Sequence, residues 1–203
     1  MDKHLELLRE LQALAQTGLY YCNGKFCQER YARIRDIAAE LLAERMDLPL
    51  VKVKDLFCSE VGFQTPKIDT RAAIFDGDKI LLVHESEGRW AIPGGWCEVN
   101  MSPAENVIKE AREEAGLDCV AEKIIAVQEY VKHNSLHFIF GITKIFYLCR
   151  ALGGEFVPNI ETTERRYFAL DDLPPLDDSR STLEQIKMCF AANRAEVWET
   201  QFD

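Results

Sequence analysis

Positive charge is scarce in this sequence. Its 24 Lys and Arg stand against 34 Asp and Glu, a formal net charge of −10. A general DNA- or RNA-binding surface is usually basic and is not expected here. An anionic phosphate ester would need its charge neutralised locally, which a divalent cation does. Long apolar runs are missing too. None approaches the ~18 residues of a membrane span, so no membrane partner is expected. The opening MDKHLELLRELQALAQ alternates charge with leucine where a secretory signal would be continuously apolar, and it reads as mature protein. Cysteine occurs seven times but never as CxxC. Cys22 and Cys27 are the closest pair, and no nearby His or Cys completes a four-ligand zinc site around them. An odd number of scattered cysteines fits reduced thiols in a cytoplasm.

What is present is enough for a core: 47% apolar residues over 203 positions. Residues 3–17 read as an amphipathic helix with Leu5, Leu8, Leu11 and Ala15 at helical spacing and Gly18 as its stop. Residues 27–46 read as a second helix, and 51–57 as a segment of uncertain type. Turn signals over Gly62–Pro66 place a domain boundary there. Beyond it the pattern changes. Residues 69–76 and 79–85 flank Gly77-Asp78, a hairpin signal. Strands are expected over 119–132, 136–150 and 164–170, and a helix over 181–192. The outline is an α+β chain: a helical N-terminal domain over 1–62 and a mixed domain over 63–203.

The chemistry concentrates in Ser102–Gly116, SPAENVIKEAREEAG. Ser102 is an N-cap, Pro103 suits the first turn, Glu105 completes a capping box and Gly116 ends the helix. At ~100° per residue, Ala104, Val107, Ile108, Ala111 and Ala115 share one side, and Glu110, Glu113 and Glu114 share another. Three neighbouring carboxylates repel one another. A hard cation with oxygen ligands, Mg²⁺ or Mn²⁺, relieves that repulsion; otherwise this is a solvated acidic face with Lys109 and Arg112 as partial neutralisers. The loop Ile92-Pro93-Gly94-Gly95 just before it can bring backbone close to a ligand.

Gly95 to Leu117, GWCEVNMSPAENVIKEAREEAGL, resembles the signature of the Nudix hydrolases, G-x5-E-x7-R-E-U-x-E-E-x-G-U with U apolar. Gly95, Glu110, Ala111, Glu113, Glu114, Gly116 and Leu117 fall on its fixed positions. Two positions depart: Met101 stands at the early glutamate and Lys109 at the arginine, which support the metal-binding helix in that family. Glu98 is the nearest substitute for the missing carboxylate. The resemblance implies an α/β/α sandwich with a mixed central sheet. The helical N-terminal piece, the loop Gly-Gly-Trp-Cys-Glu-Val and the C-terminal Phe-Ala-Leu-Asp-Asp-Leu-Pro-Pro-Leu look like a two-domain bacterial subgroup that includes ADP-ribose and CDP-choline pyrophosphatases.

That resemblance implies a nucleoside diphosphate–X substrate of CDP-choline, ADP-ribose or UDP-X type, cut to a nucleoside monophosphate and phospho-X. Glu110, Glu113 and Glu114 would hold Mg²⁺ or Mn²⁺, with a carbonyl at Gly94 or Gly95 completing the shell. Glu161 and Glu164 are candidates for the general base, beside catalytic roles for Glu113 and Glu114. Arg71, Gly94, Trp96, Glu98 and His137 are candidates for substrate contact. The N-terminal helices carry no catalytic constellation, and their apolar stripes are expected to form a homodimer interface. Two rival readings remain at this level: a non-catalytic nucleotide sensor of the same fold, and an RNA-processing enzyme, which would need more basic surface than is seen.

Overall fold

A computed structural model describes residues 3–85, 88–134 and 140–203. The chain separates into two compact units. The first comprises Met1–Pro66 with Phe138–Gly141, the second Lys67–His137 with Ile142–Asp203. The division thus lies a few residues beyond the expected boundary, and a short later segment belongs with the first unit.

The first unit holds α1 (Lys3–Tyr21), α2 (Lys25–Met46) and α3 (Leu50–Phe57). The uncertain segment is therefore helical. Leu5, Ala38, Ala39, Leu42, Val53 and Phe57 form its core, and Gln12 Nε2 donates to the Phe57 carbonyl at 2.6 Å. Gly18 does not stop α1. A Cβ there would lie 2.5 Å from the Tyr31 ring, so the glycine serves close packing of α1 on α2 and the helix runs on to Tyr21. Cys22 and Cys27, expected as free thiols, are instead joined as a disulfide across the turn between these helices. Cys58, Cys97, Cys119, Cys149 and Cys189 are free.

The second unit is a mixed sheet between two helices. Its elements are β1 (Lys67–Asp76), β2 (Lys79–Glu85), β3 (Trp90–Ala91), α4 (Pro103–Ala115), β4 (Asp118–Glu129), α5 (Tyr130–His133), β5 (Ile142–Gly153), β6 (Thr162–Phe168), α6 (Leu183–Arg194) and β7 (Gln201–Phe202). The strand order is β3-β2-β1-β5-β4-β7, with β6 also pairing to β2. β1 runs parallel to β5 from Lys67↔Ile142 to Ile74↔Cys149. Alternation along β1 and β2 sorts the two faces. Ala72, Ile74, Leu81 and Val83 pack with Val107, Ala111 and Ala115 of α4. Ala73, Ile80, Leu82 and Phe146 pack with Ile186, Cys189 and Phe190 of α6. The two-residue strands β3 and β7 carry too little pattern to be read from sequence. The expected strand over 119–132 ends early, because residues 130–133 form the single turn α5.

β1 and β2 pair only beside their turn, at Phe75↔Ile80 and Asp76↔Lys79. β2 then leaves to pair with β3 and β6. The vacated edge of β1 must find other partners. Residues 93–97 supply them: Ala72 N–H donates to the Pro93 carbonyl at 2.8 Å, Thr70 N–H to Gly95 at 2.9 Å, and Cys97 N–H to Ile68 at 2.8 Å. This lays the glycine loop along the sheet, directly beside α4.

Lys144 on β5 is 1% exposed. Its ammonium donates to the Arg180 carbonyl and lies 5.5 Å and 5.7 Å from the ring centres of Tyr130 and Phe146. Burial pushes its pKa down to about 7, with Arg71 and Arg180 acting in the same direction and Asp69 and Asp177 against it. A depressed lysine pKa destabilises the fold wherever the unfolded chain holds the proton, so the penalty is absent above the unfolded value near ~10.4 and grows as pH falls toward 7. The Lys144→Met variant escapes this penalty. Its stability relative to the parent, measured by urea unfolding, should rise by up to about 1.4 kcal/mol per pH unit between pH 10 and 7 and stay level below.

Candidate active site

Helix α4 is set by its own ends. Ser102 Oγ accepts the Glu105 N–H and the Glu105 carboxylate accepts the Ser102 N–H at 2.9 Å, while Gly116 closes the helix in the left-handed region at φ 62°. Its C-terminal carbonyls are then tied to the segment before and along β6. Asn159 Nδ2 donates to the Glu113 carbonyl at 2.8 Å, Thr162 Oγ1 to Glu114 at 2.8 Å, and Arg165 to Ala115 at 2.5 Å. Each satisfies an acceptor the helix itself leaves open. Asn159 Oδ1 also accepts the N–H groups of Glu161 and Thr162, both at 2.9 Å, so Glu161 is held beside the glutamate helix.

The result is a cleft of about 400 Å³ lined by Glu85, Gly95, Trp96, Lys109, Glu110, Glu113, Glu114, Ile160, Glu161 and Arg180. It gathers three of the expected carboxylates of α4, and Glu161 and Trp96 with them. Glu164 is elsewhere: it lies on β6 opposite His84 and pairs with Arg166 at 2.6 Å. Glu98 does not line the cleft; it reaches Lys109 at 3.1 Å. His137 lies outside the described residues. Glu85 and Arg180 also line it, and neither sits in a pattern recognisable from sequence.

Arg71, expected to face a substrate phosphate, is 3% exposed. It grips Asp69 through both oxygens at 2.8 Å and 2.6 Å and donates to the Ile92 carbonyl at 3.2 Å. Burial would lower its pKa, but the charge and hydrogen bonding of Asp69, together with the charges of Glu114 and Glu85, outweigh that and hold it above the ordinary value. Its placement fixes the strand end from which the glycine loop departs.

Gly94 and Gly95 serve by lacking side chains. Gly94 has φ 144°, and a Cβ there would collide with the Thr70 carbonyl. Its N–H donates to Glu114 Oε2 at 2.7 Å. A Cβ on Gly95 would stand 3.0 Å from Glu110 Oε2. The Gly95 carbonyl, which with that of Gly94 is the candidate to complete a metal shell, accepts the Thr70 N–H at 2.9 Å and keeps a second lone pair. Desolvation by burial raises the pKa of Glu114 to about 7, against the pull of Arg71 and the Gly94 N–H, and raises that of Glu110 as well.

Lys109 stands among the carboxylates, 2.7 Å from Glu113, 3.1 Å from Glu110 and 3.1 Å from Glu98. The hydrogen bond to Glu113 is the leading reason its pKa lies above the ordinary value. Among the described residues no group of three or more His, Cys, Asp or Glu side chains is arranged to hold a metal ion; an ammonium occupies the place between Glu110 and Glu113. The chemistry of the donor set, hard carboxylate oxygens, fits Mg²⁺ or Mn²⁺. Gly94→Ala should lose about 2–4 kcal/mol of stability in chemical denaturation, because the new Cβ has backbone, not a movable side chain, in its way.

Comparison with known proteins agrees with this geometry. Residues 2–57 match a family described as the UDP-X-like, N-terminal oligomerisation domain, and residues 65–187 match the NUDIX domain. A Bacillus subtilis (strain 168) protein, YjhB, provisionally designated an ADP-ribose pyrophosphatase, is 37% identical over 99% of this chain and 97% of its own length. The crystal structure of an ADP-ribose pyrophosphatase from Streptococcus suis is 54% identical, with a TM-score of 0.65 over 68% of this chain and 100% of that one. A UDP-X diphosphatase structure is 32% identical, with a TM-score of 0.65 over 98% of this chain and 97% of that one. The glutamate helix, the glycine loop packed against it and the sheet that carries both are those of a Nudix enzyme, and the chain belongs to the Nudix hydrolase family.

Proposed function

We propose that the protein hydrolyses the diphosphate linkage of a nucleoside diphosphate–X substrate of ADP-ribose, UDP-X or CDP-choline type, giving a nucleoside monophosphate and phospho-X, with Mg²⁺ or Mn²⁺ as cofactor. The observation that carries this reading is the meeting of Glu110, Glu113, Glu114 and Glu161 in one cleft against Gly95. Relatives named for ADP-ribose and UDP-X support the substrate class.

Glu110, Glu113 and Glu114 are the residues that would hold the metal. When bound, it neutralises the diphosphate and lowers the pKa of a water. Glu161 is positioned to take the proton as water adds to one phosphorus and the bond to the bridging oxygen breaks; that proton then passes to the leaving phosphate. Trp96, 47% exposed at the rim, offers a face for a base. Glu114→Gln should lower kcat for ADP-ribose or UDP-glucose with Mn²⁺ by about 10²-fold or more. Unchanged turnover would remove Glu114 from the metal site. Nucleotide binding with no phosphate released by the parent protein would favour a sensor.

We propose further that the protein is a homodimer through its helical unit, a reading supported by the match of residues 2–57 to an oligomerisation domain. α1 buries Leu5 and Ala15 and leaves Leu7, Leu11 and Leu14 exposed on another side. Leu7, Leu8, Leu11 and Leu41 line a groove of about 530 Å³ with His4, Glu44 and Arg45 at its margins. A second copy would cover this apolar stripe. No helix of the described residues is long and apolar enough to cross a membrane, and a cytoplasmic location is proposed on the five free cysteines, which outnumber the two joined in the Cys22–Cys27 disulfide. Leu11→Glu should shift the sedimentation of a dimer to that of a monomer at micromolar concentration; a parent that is already monomeric contradicts the assignment.

A further inference from the structure

We infer that Arg180 is the substrate-binding cation of the cleft, which takes a phosphate of the diphosphate in exchange for its contact with Glu85. The inference rests on the diphosphate reading above.

The first argument is charge. Five glutamates line the cleft, Glu85, Glu110, Glu113, Glu114 and Glu161, against two cations, Lys109 and Arg180. A diphosphate adds further negative charge. Lys109 is committed to three carboxylates, and Arg71 is buried on Asp69 outside the lining. Arg180 differs from both. Its side chain is 40% exposed, with one close contact to Glu85 Oε2 at 2.7 Å and a long one to Asp177 at 3.7 Å. A guanidinium held this way has donors to offer, and its planar fork matches two phosphate oxygens.

The second argument is preorganisation. Arg180 sits in a loop whose backbone is fixed at almost every residue. Asp177 N–H donates to the Trp90 carbonyl at 2.9 Å, and the Asp177 carbonyl accepts the Arg180 and Ser181 N–H groups at 2.9 Å and 2.7 Å. Asp177 Oδ1 accepts the Ser179 N–H and hydroxyl at 2.9 Å and 2.6 Å. Ser181 Oγ accepts the Ile92 N–H at 3.2 Å. The Arg180 carbonyl accepts from buried Lys144. Ile92 directly precedes Pro93-Gly94-Gly95 and its own carbonyl receives Arg71. The backbone under Arg180 and the backbone against Glu110 and Glu114 are thus anchored to one strand end. This holds the guanidinium and the carboxylates at a fixed spacing before substrate arrives, which reduces the ordering cost of binding.

A binding role predicts a loss in KM, with kcat largely kept. With ADP-ribose and Mn²⁺, Arg180→Ala should raise KM by about 10- to 100-fold, the range of a charged hydrogen bond, while kcat changes by less than about threefold. Arg180→Lys, which keeps charge but not the fork, should fall between. An unchanged KM, or a loss confined to kcat, in an active parent overturns the inference and leaves the hydrolase reading intact. If Arg180→Ala lacks a cooperative thermal transition, Arg180→Gln supplies the same comparison. If the parent cleaves none of ADP-ribose, UDP-glucose and CDP-choline, the function reading fails on its own. Calorimetry with ADP and Mn²⁺ then decides: weaker ADP binding in Arg180→Ala supports the inference, while equal binding, or none by the parent, overturns it.

Discussion

The hydrogen bond from the Gly94 N–H to the buried carboxylate of Glu114, at 2.7 Å, is the contact on which the site depends. It requires the loop backbone to lie closer to α4 and β1 than any side chain at Gly94 would permit. It also requires β1 to have an open edge, which exists because β2 leaves after two paired positions. From that edge the loop continues through Cys97 into Glu98, whose N–H is received by Asn106 of α4 at 3.1 Å. Asn106 in turn donates to Thr70 of β1 at 2.9 Å. Strand, loop and helix therefore form one closed circuit of hydrogen bonds, and the carboxylates inherit its rigidity.

The same circuit explains how the site accommodates Met101 and Lys109. A charge contact between the two signature positions is impossible with a methionine at one of them. Here it is made from Glu98, three residues earlier, to the lysine. A lysine ammonium is a compact charge without a fixed fork, and it is shared among Glu98, Glu110 and Glu113. That sharing lowers the repulsion of an acidic cluster whose burial already disfavours its charged forms. The helix is supported from its other end by Asn159, Thr162 and Arg165, which take up the carbonyls of its last turn.

Local chemistry made much of this legible. Ser102, Pro103, Glu105 and Gly116 set the bounds of α4 through contacts within a few residues, so its glutamate face follows from spacing alone. Gly77 between two β-rich runs fixes the first hairpin in the same way. Where local signals misled, a distant partner had changed the role of a residue. Gly18 reads as a stop but is required by the Tyr31 ring. Arg71 reads as a cation for substrate contact but is folded inward onto Asp69, two residues away on the same face of β1, where alternation places both toward the buried side. Cys22 and Cys27 lack a motif, and the turn from α1 to α2 brings their sulfurs together.

The sequence by itself determined the glutamate helix, the glycine loop, the family and the broad α+β order, because each rests on residues near one another in the chain. Only the tertiary structure decided which remote groups share the cleft. Glu161 and Glu164 are equivalent in composition and neighbourhood, yet strand pairing sends Glu164 to Arg166 on β6 and leaves Glu161 beside α4. Glu85 ends one strand and Arg180 precedes a helix, and no spacing rule connects them. They meet because the loop before α6 is bonded to β3 and Ile92, and the register of a sheet is a property of pairs of strands, not of either strand alone.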